Sequence, residues 1–223
     1  MPKLSKEQQG QRRARILDAA EHCFARAGFH RTTMQHICTE AGISAGALYL
    51  YFDSKEDLIA GIVERDRVDV LAQFSSLAEA SDFITGLQGV MRTLIIERPA
   101  HKTALIIEMG AEAIRNPAIA AIVGHCDSTI HASMTEMLKR ARAAGRIAPK
   151  IPVEALTSLM ATIADGLFWR CAIDKAFKPQ TIADLALRAM APLIGAVPSE
   201  TSPADASPPS PAAALNELSE SHA

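Results

Sequence analysis

Apolar residues recur at spacings of three and four along most of the chain, which is the pattern of amphipathic α-helices. The apolar runs are separated by glycine, by proline, or by a residue that can cap a new helix. Runs of β-branched residues are few, so we expect an all-α protein. The pattern predicts about nine helices, with the approximate bounds 6–27, 33–41, 44–52, 54–80, 81–97, 100–115, 117–144, 153–174 and 180–195.

The second and third predicted helices are short and form the feature around which the chain is organised. Thr32 or Thr33 can cap the first of them, and Gly42 can end it in a left-handed conformation. Ser44 can cap the next helix only two residues later. One face of each helix is apolar: Met34, Ile37, Cys38 and Ala41 in the first, Leu48 and Phe52 in the second. Two helices joined by so short a turn form a helix-turn-helix, which suggests DNA binding.

The helices on either side of this motif have clear ends of their own. The first helix has an apolar stripe and closes at Gly28. Ser54 can cap the helix over 54–80, and Asp57 can reach back as a capping box. That helix is the mechanical link between the motif and the rest of the chain. The stripe of the first helix consists of Ile16, Ala20, Phe24 and Ala27.

The last two predicted helices, 153–174 and 180–195, are apolar around much of their circumference. A helix with more than one apolar face must bury two faces. One face can meet its own domain and the other a second copy, giving a four-helix interface with two-fold symmetry. The alternative is that both helices are internal to the core of a single chain.

The composition argues against several classes of protein. Hydrophobic residues make up 48% of the 223 residues, which is enough for a packed core. No run of about 18 uncharged apolar residues occurs, so we expect no membrane span. No apolar N-terminal segment is present, so we expect no secretory signal. The four cysteines are widely spaced without a CxxC pair, which favours reduced thiols in the cytoplasm.

The formal net charge of −2 is unevenly distributed. From residue 198 onward the charged residues are four acidic ones, and this Pro-, Ser- and Ala-rich segment is predicted to be disordered. The first 55 residues hold eight basic against five acidic residues, a bias that suits a surface facing phosphates. Three of the basic residues, Arg12, Arg13 and Arg15, either contact phosphates or form a solvated face.

Residues 32–59 read TTMQHICTEAGISAGALYLYFDSKEDLI, and this run resembles the DNA-binding signature of the TetR/AcrR family of transcriptional regulators. The resemblance covers about residues 16–62 and depends chiefly on Ala41-Gly42-Ile43-Ser44 and Leu48-Tyr49-x-Tyr51-Phe52-x-Ser54-Lys55. It implies a nine-helix homodimer, usually a repressor released from DNA by a small molecule. We therefore expect a DNA-binding domain at 1–55, a ligand-sensing and dimerisation domain at 56–197, and a tail at 198–223.

The resemblance also assigns DNA-contacting positions. Thr33 and Ser44 would offer hydroxyl and N-terminal N–H groups to phosphates, and Gln35 would reach a base edge. Ala45 and Gly46 would allow a close approach to the groove. The remaining implied contacts are Tyr49, Tyr51 and Lys55.

The predicted recognition helix departs from the commoner family pattern because it contains no Arg, Lys, Asn or Gln, and Leu50 is apolar. Bidentate base recognition from that helix is therefore impossible. Specificity is expected from Gln35, from apolar contact with thymine methyl groups and from DNA shape. The operator should be a near-palindrome, because a two-fold dimer presents two identical motifs.

The middle helices are expected to hold a small hydrophobic or aromatic effector, since a mostly apolar cavity with a few polar groups is the general form of such a site. Phe168 and Trp169 are the strongest candidates. The other predicted ligand contacts are Met91, Ile95, Met109 and Arg170, with Leu94 as a further apolar neighbour and Glu108, His131 and Asp165 as further polar groups.

Other chemistry is less well supported by the sequence. No GxxxxGK[ST], GxGxxG, HExxH or GxSxG motif occurs, so we predict no enzyme and no cofactor. Asp127 and His131 are four residues apart, beside His125 and Cys126, and could place two metal ligands together. A metal or thiol sensor on the same scaffold is therefore the alternative function, although polar surface residues explain this cluster more simply. Cys38 is expected to be a small core residue rather than a redox switch.

Overall fold

The computed structural model describes residues 5–196, and this part of the chain is all-α, as predicted. Its β pairing is limited to an isolated bridge between Ile147 and Ala196. No helix in the described range is both long and apolar enough to cross a bilayer. The predicted tail at 198–223 lies outside the described residues. The helices are α1 (Lys6–Arg31), α2 (Met34–Ala41), α3 (Ala45–Tyr49), α4 (Lys55–Glu79), α5 (Phe83–Met91), α6 (Ala100–Ala113), α7 (Pro117–Ala143), α8 (Val153–Ile173) and α9 (Pro179–Ile194).

Side-chain caps begin several of these helices, as the sequence predicts. Ser54 Oγ accepts a hydrogen bond from the N–H of Asp57 at 3.0 Å. The carboxylate of Asp57 accepts from the N–H of Asp53 rather than from that of Ser54, so the predicted capping box is shifted by one residue. Gly42 ends α2 and Gly195 ends α9, both in the left-handed conformation that glycine adopts without steric cost.

Helix α1 breaks at Gly28, as predicted, and a further helical turn follows the break. Gly28 has φ +78°, after which the chain remains helical to Arg31. A Cβ atom at Gly28 would lie 2.9 Å from Oε1 of Glu108, a side chain of α6. The missing side chain therefore allows α6 to approach the backbone of α1 closely.

The helix predicted at 81–97 is shorter and less regular in the structure. Asp82, rather than Ser81, caps it by accepting a 3.0 Å hydrogen bond from the N–H of Thr85. This bond is the main reason that the pKa of Asp82 is lowered. Helix α5 ends at Met91, and a π-helical turn follows at Arg92–Ile96. Such turns are common at functional sites, and the apolar spacing of the sequence does not reveal them.

The buried apolar residues form two large clusters and a small third one. The first cluster joins α1, α2 and α3 to the start of α4, and it also contains Leu105, Met109 and Ile119 from α6 and α7. Leu58 and Ile59 are fully buried in this cluster, so the predicted boundary at residues 55–56 falls within continuous packing. We call α1, α2 and α3 the reader helices.

Candidate DNA-binding surface and ligand cavity

The corner between α2 and α3 is fixed by its backbone and by the residues beneath it. Gly42 turns the chain with φ +65°, and Ser44 Oγ then accepts a hydrogen bond from the N–H of Ala47 at 3.3 Å. Leu48 and Phe52 are buried against the other reader helices, although Phe52 lies just after α3 rather than within it. Helix α3 is only five residues long, so this packing sets which of its residues face outward.

The outward face of this corner carries most of the predicted DNA contacts. Tyr49 is 50% exposed, Leu50 is 81% exposed, and Tyr51 is half-buried against the apolar cluster. An exposed apolar face beside two tyrosines suits contact with thymine methyl groups and sugars. The other predicted contacts on this face are all exposed: Thr33, Gln35, Ser44, Ala45 and Gly46.

His36 also belongs to this surface, and sequence reasoning missed it. Thr33 Oγ1 accepts from the N–H of His36 at 3.2 Å, and His36 Nδ1 accepts from the N–H of Thr33 at 3.4 Å. The hydroxyl hydrogen of Thr33 therefore remains available to donate to a phosphate. The signal was a capping box with histidine in the position usually held by Glu or Gln.

The ammonium group of Lys55 already makes contacts within the chain. Its Nζ donates to the backbone oxygen of Phe29 at 2.6 Å and lies 4.2 Å from the centre of the Phe29 ring. It thus ties the start of α4 to the end of α1, a role that the sequence did not suggest. A phosphate contact by Lys55 requires this bond to be shared or broken.

The arginines near the reader helices differ in their surroundings. Arg13 lies over the ring of Phe52 at 5.1 Å, and Arg26 pairs with Glu40 at 3.1 Å. Arg12 and Arg15 make no ion pair with any other described residue. These two are therefore better placed for phosphates than Arg13 or Arg26.

A cavity of about 360 Å³ lies between α4, α5, α6, α7 and α8. Its wall is mainly apolar, which is the usual form of a small-molecule site. The π-helical turn contributes Leu94 and Ile95 to this wall. Four of the predicted ligand contacts line the cavity: Met91, Ile95, Met109 and Phe168.

Several other predicted ligand residues lie elsewhere. Trp169 is 52% exposed, and Arg170 pairs with Asp174 on the surface, because neighbouring residues on a helix point about 100° apart and Phe168 faces inward. Glu108 points from α6 toward α1. His131 lies 3.3 Å from the hydroxyl of Ser158. Among the predicted polar groups, only Asp165 lines the cavity.

Charged groups from several helices line the cavity. On α4 and the start of α6, Asp66 accepts from Arg98 and from Lys102, the latter at 2.9 Å. On α7 and α8, the carboxylates of Asp127 and Asp165 form no hydrogen bond or ion pair with another described residue. Burial and the nearby Asp127 charge raise the pKa of Asp165. The cations and the unpaired carboxylates are thus on different helices.

Buried charges also join α1 to the cavity wall. The Glu21 carboxylate of α1 is 2% exposed and lies 2.5 Å from Arg65 of α4. His101 and Lys102 of α6 lie 3.1 and 3.7 Å from the same carboxylate. Because Lys102 also lines the cavity, this cluster connects the cavity directly to a reader helix.

A second polar contact joins the two helices at the break in α1. The Phe29 N–H donates to Glu108 Oε1 at 2.9 Å, beside Gly28. One turn further along α6, the buried Glu112 carboxylate lies 2.9 Å from Nε2 of His30. Both contacts hold the end of α1 against α6.

The cysteine and histidine side chains do not form a recognisable metal site in the described part of the chain. No group of three or more His, Cys, Asp or Glu side chains is placed there to share an ion. Cys126 and Asp127 line the cavity. Cys38 is buried, as expected for a small core residue, and burial raises the pKa of Cys126, which disfavours the reactive thiolate.

Comparisons with known proteins agree with this arrangement. Residues 16–62 match the N-terminal domain of the tetR family of bacterial regulatory proteins, and residues 85–195 match the C-terminal domain of BetI-type transcriptional repressors. The HTH-type transcriptional regulator UidR of Escherichia coli is 34% identical over 155 residues, which cover 70% of this chain and 79% of UidR.

Solved structures share the fold. Salmonella enterica GusR superposes with a TM-score of 0.72 and 29% identity, over 86% of this chain and 99% of GusR. SmeT is the repressor of a Stenotrophomonas maltophilia multidrug efflux pump. The structure of its complex with triclosan superposes with a TM-score of 0.70 and 24% identity, over 89% of this chain and 100% of SmeT.

Proposed function

Since this chain belongs to the TetR family of bacterial transcriptional regulators, we propose that it binds a near-palindromic operator as a dimer and is released by a small hydrophobic or aromatic effector. The family consists of transcriptional regulators, in line with the prediction that the chain is not an enzyme. The observation that carries the proposal is that Leu105 and Met109 of α6 line the cavity and also pack in the cluster of the reader helices.

Operator recognition rests on the outward face of α2 and α3. Gln35 supplies the amide that suits adenine, and Leu50 supplies an apolar surface for thymine methyl groups. Thr33, Ser44 and the unpaired Arg12 and Arg15 contact phosphates and set the register. Because few side chains read bases directly, DNA shape contributes a large share of the specificity.

Dimerisation rests on α8 and α9. On α8, the side chains of Trp169 and Ile173 are 52% and 55% exposed. On α9, those of Ile182 and Leu185 are 36% and 58% exposed. Apolar exposure of this kind on two neighbouring helices favours an interface over the alternative of helices internal to one chain. We call these four residues the apolar face.

Release follows from a population shift. Ligand in the cavity favours one arrangement of α4 and α6, the two helices that reach from the cavity to the reader helices. Arg65, Lys102 and Glu108 transmit a displacement of these helices to α1. The reader helices of the two subunits must lie about 34–36 Å apart, which is one turn of DNA. A small displacement of one set against the other therefore weakens operator binding. This regulation takes place in the cytoplasm, where the operator DNA is.

A selection experiment tests the operator half of the proposal. The full chain is used to select bound sequences from random DNA duplexes. The expected result is an inverted repeat whose half-sites are centred about one turn apart. Enrichment of a single, non-repeated site would contradict binding as a two-fold dimer.

The selected duplex then allows a test of the reader residues by fluorescence anisotropy. We expect Gln35→Ala to weaken binding about tenfold, in line with roughly 1–3 kcal/mol for a bidentate base contact. The matched control is Gln88→Ala on α5, which should leave affinity unchanged. Equal affinities for both variants and the parent chain would remove Gln35 from the interface.

A further inference from the structure

One polar group in the wall of the cavity has no partner. Arg98 stands just before α6, and its side chain is only 11% exposed. Its Nε atom is buried and has no hydrogen-bond acceptor among the described residues. Buried N–H groups are nearly always paired, so an unpaired one in a side chain that lines a cavity marks the guanidinium as a candidate donor to a ligand.

The rest of the Arg98 side chain is held in place. One guanidinium nitrogen donates to the Asp66 carboxylate, and the guanidinium carbon lies 6.0 Å from the centre of the Phe168 ring. These contacts orient the guanidinium before any ligand arrives. A pre-oriented donor loses little conformational entropy when it binds a ligand.

The charges on this wall favour an anion as the acceptor. Three cations line the cavity from this wall: Arg67, Arg98 and Lys102. Arg67 is paired with Glu64, and Lys102 lies near both Asp66 and Glu21, so Arg98, which shares only Asp66, is the cation best placed to bind a further anion. Hydrogen bonds from a guanidinium to a carboxylate are stronger than those to a neutral oxygen.

The carboxylates of α7 and α8 limit where that anion can lie. Asp127 and Asp165 line the cavity from α7 and α8 and have no cationic partner among the described residues. A ligand with negative charge at both ends would meet these carboxylates. A ligand with one anionic end and an apolar body avoids them, and the body is left to contact Met91, Ile95 and Phe168.

We propose that the effector is an amphipathic monoanion, with a carboxylate that accepts from the guanidinium of Arg98 and a hydrophobic, aromatic-sized body in the apolar part of the cavity. This inference rests on the proposed function, since it takes the cavity to be the effector site. It names the chemical class of the effector and the residue that selects it.

Three probes with the same apolar body test the proposal: naphthylacetate, naphthylethanol and naphthylethylamine. Their binding to the full chain is measured by isothermal titration calorimetry at neutral pH. We expect the acid to bind at least about tenfold more tightly than the alcohol, because a charge-assisted hydrogen bond is the stronger one. The amine should bind most weakly.

The Arg98→Met variant identifies the residue responsible. Lys102 still pairs with Asp66 in this variant, so the Asp66 carboxylate keeps a cationic partner. The acid should lose about tenfold in affinity and the alcohol less than about threefold. The matched control is Arg92→Met, which removes an exposed arginine outside the cavity and should change neither.

Several results would overturn the proposal. They are binding of the alcohol or the amine as tight as that of the acid, no measurable binding of the acid at millimolar concentration, or an unchanged acid affinity in Arg98→Met. Should Arg98→Met fail to fold, the ranking of the three probes on the parent chain decides the question alone.

Operator release is measured separately, so that the two proposals can fail independently. If the acid binds through Arg98 but leaves the operator complex intact, release by this cavity is wrong and the ligand class stands. If the alcohol or the amine binds best and releases the operator, the ligand class is wrong and the proposed function stands.

Discussion

The junction between α1 and α6 buries charged side chains against partners in the same chain, whereas the apolar face on α8 and α9 leaves hydrophobic side chains in water. Glu21 and Glu112 are 2% and 1% exposed at the junction. Charged pairs have strict geometry and fix one register of α6 against α1. Apolar contacts are less directional, so a second chain can complete them. The difference suggests that the junction transmits ligand binding to the reader helices, whereas the apolar face forms the dimer interface.

The largest expected effect comes from removing the central charge of the junction. Glu21→Ala leaves Arg65, His101 and Lys102 without their shared carboxylate, so we expect the free energy of unfolding to fall by about 3 kcal/mol. Urea denaturation followed by circular dichroism measures it. Glu40→Ala is the control, because its partner Arg26 is exposed and the loss should stay below about 0.5 kcal/mol. Equal losses in the two variants would mean that burial of the charge is unimportant.

The second prediction breaks the apolar face. Leu185→Glu places a charge on both sides of the proposed two-fold interface, so we expect the dissociation constant of the dimer to rise at least about 100-fold. Sedimentation velocity over a dilution series measures it. Val68→Glu adds the same charge at a 53% exposed position on α4 and should leave the dimer intact. If the Leu185→Glu protein remains dimeric, the interface lies elsewhere on the molecule.

The third prediction, with the smallest expected effect, concerns the hydrogen bond between Glu108 and Phe29 at the junction. Glu108→Ala removes the acceptor of the Phe29 N–H, and we expect a loss of about 1.5 kcal/mol in the free energy of unfolding. Glu108→Gln keeps an oxygen that can accept the same bond and should lose less than half as much. If Gln is as damaging as Ala, the charge of Glu108 matters more than its hydrogen bond.

Most features encoded within four residues of sequence could be predicted, although the cap at Ser81 and the partner of Asp57 were each wrong by one residue. The caps at Ser44 and Ser54 and the turn at Gly42 were predicted correctly, because each depends on a residue and its immediate neighbours. The family resemblance rests on this same stretch, and the matching of residues 16–62 confirms it. The DNA contacts named on it remain predictions.

Features that depend on distant residues could not be predicted. Lys55 bonds to Phe29 26 residues away, and Glu108 bonds to Phe29 across 79 residues. The π-helical turn shifts the residues after Met91 around the helix, and no local signal marks it. As an aromatic residue, Trp169 is predicted to contact the ligand, but it points to the surface because its neighbour Phe168 faces inward.

The position of Trp169 has a practical consequence for experiments on the intact chain. It is the only tryptophan in the sequence, so the indole emission of the protein comes from this one side chain. Indole emission shifts to longer wavelength in water and to shorter wavelength in an apolar setting. Because Trp169 belongs to the apolar face and does not line the cavity, we expect its spectrum to respond to the proposed association of two chains. An interface at this face would thus give the molecule an optical probe of its own assembly that needs no label.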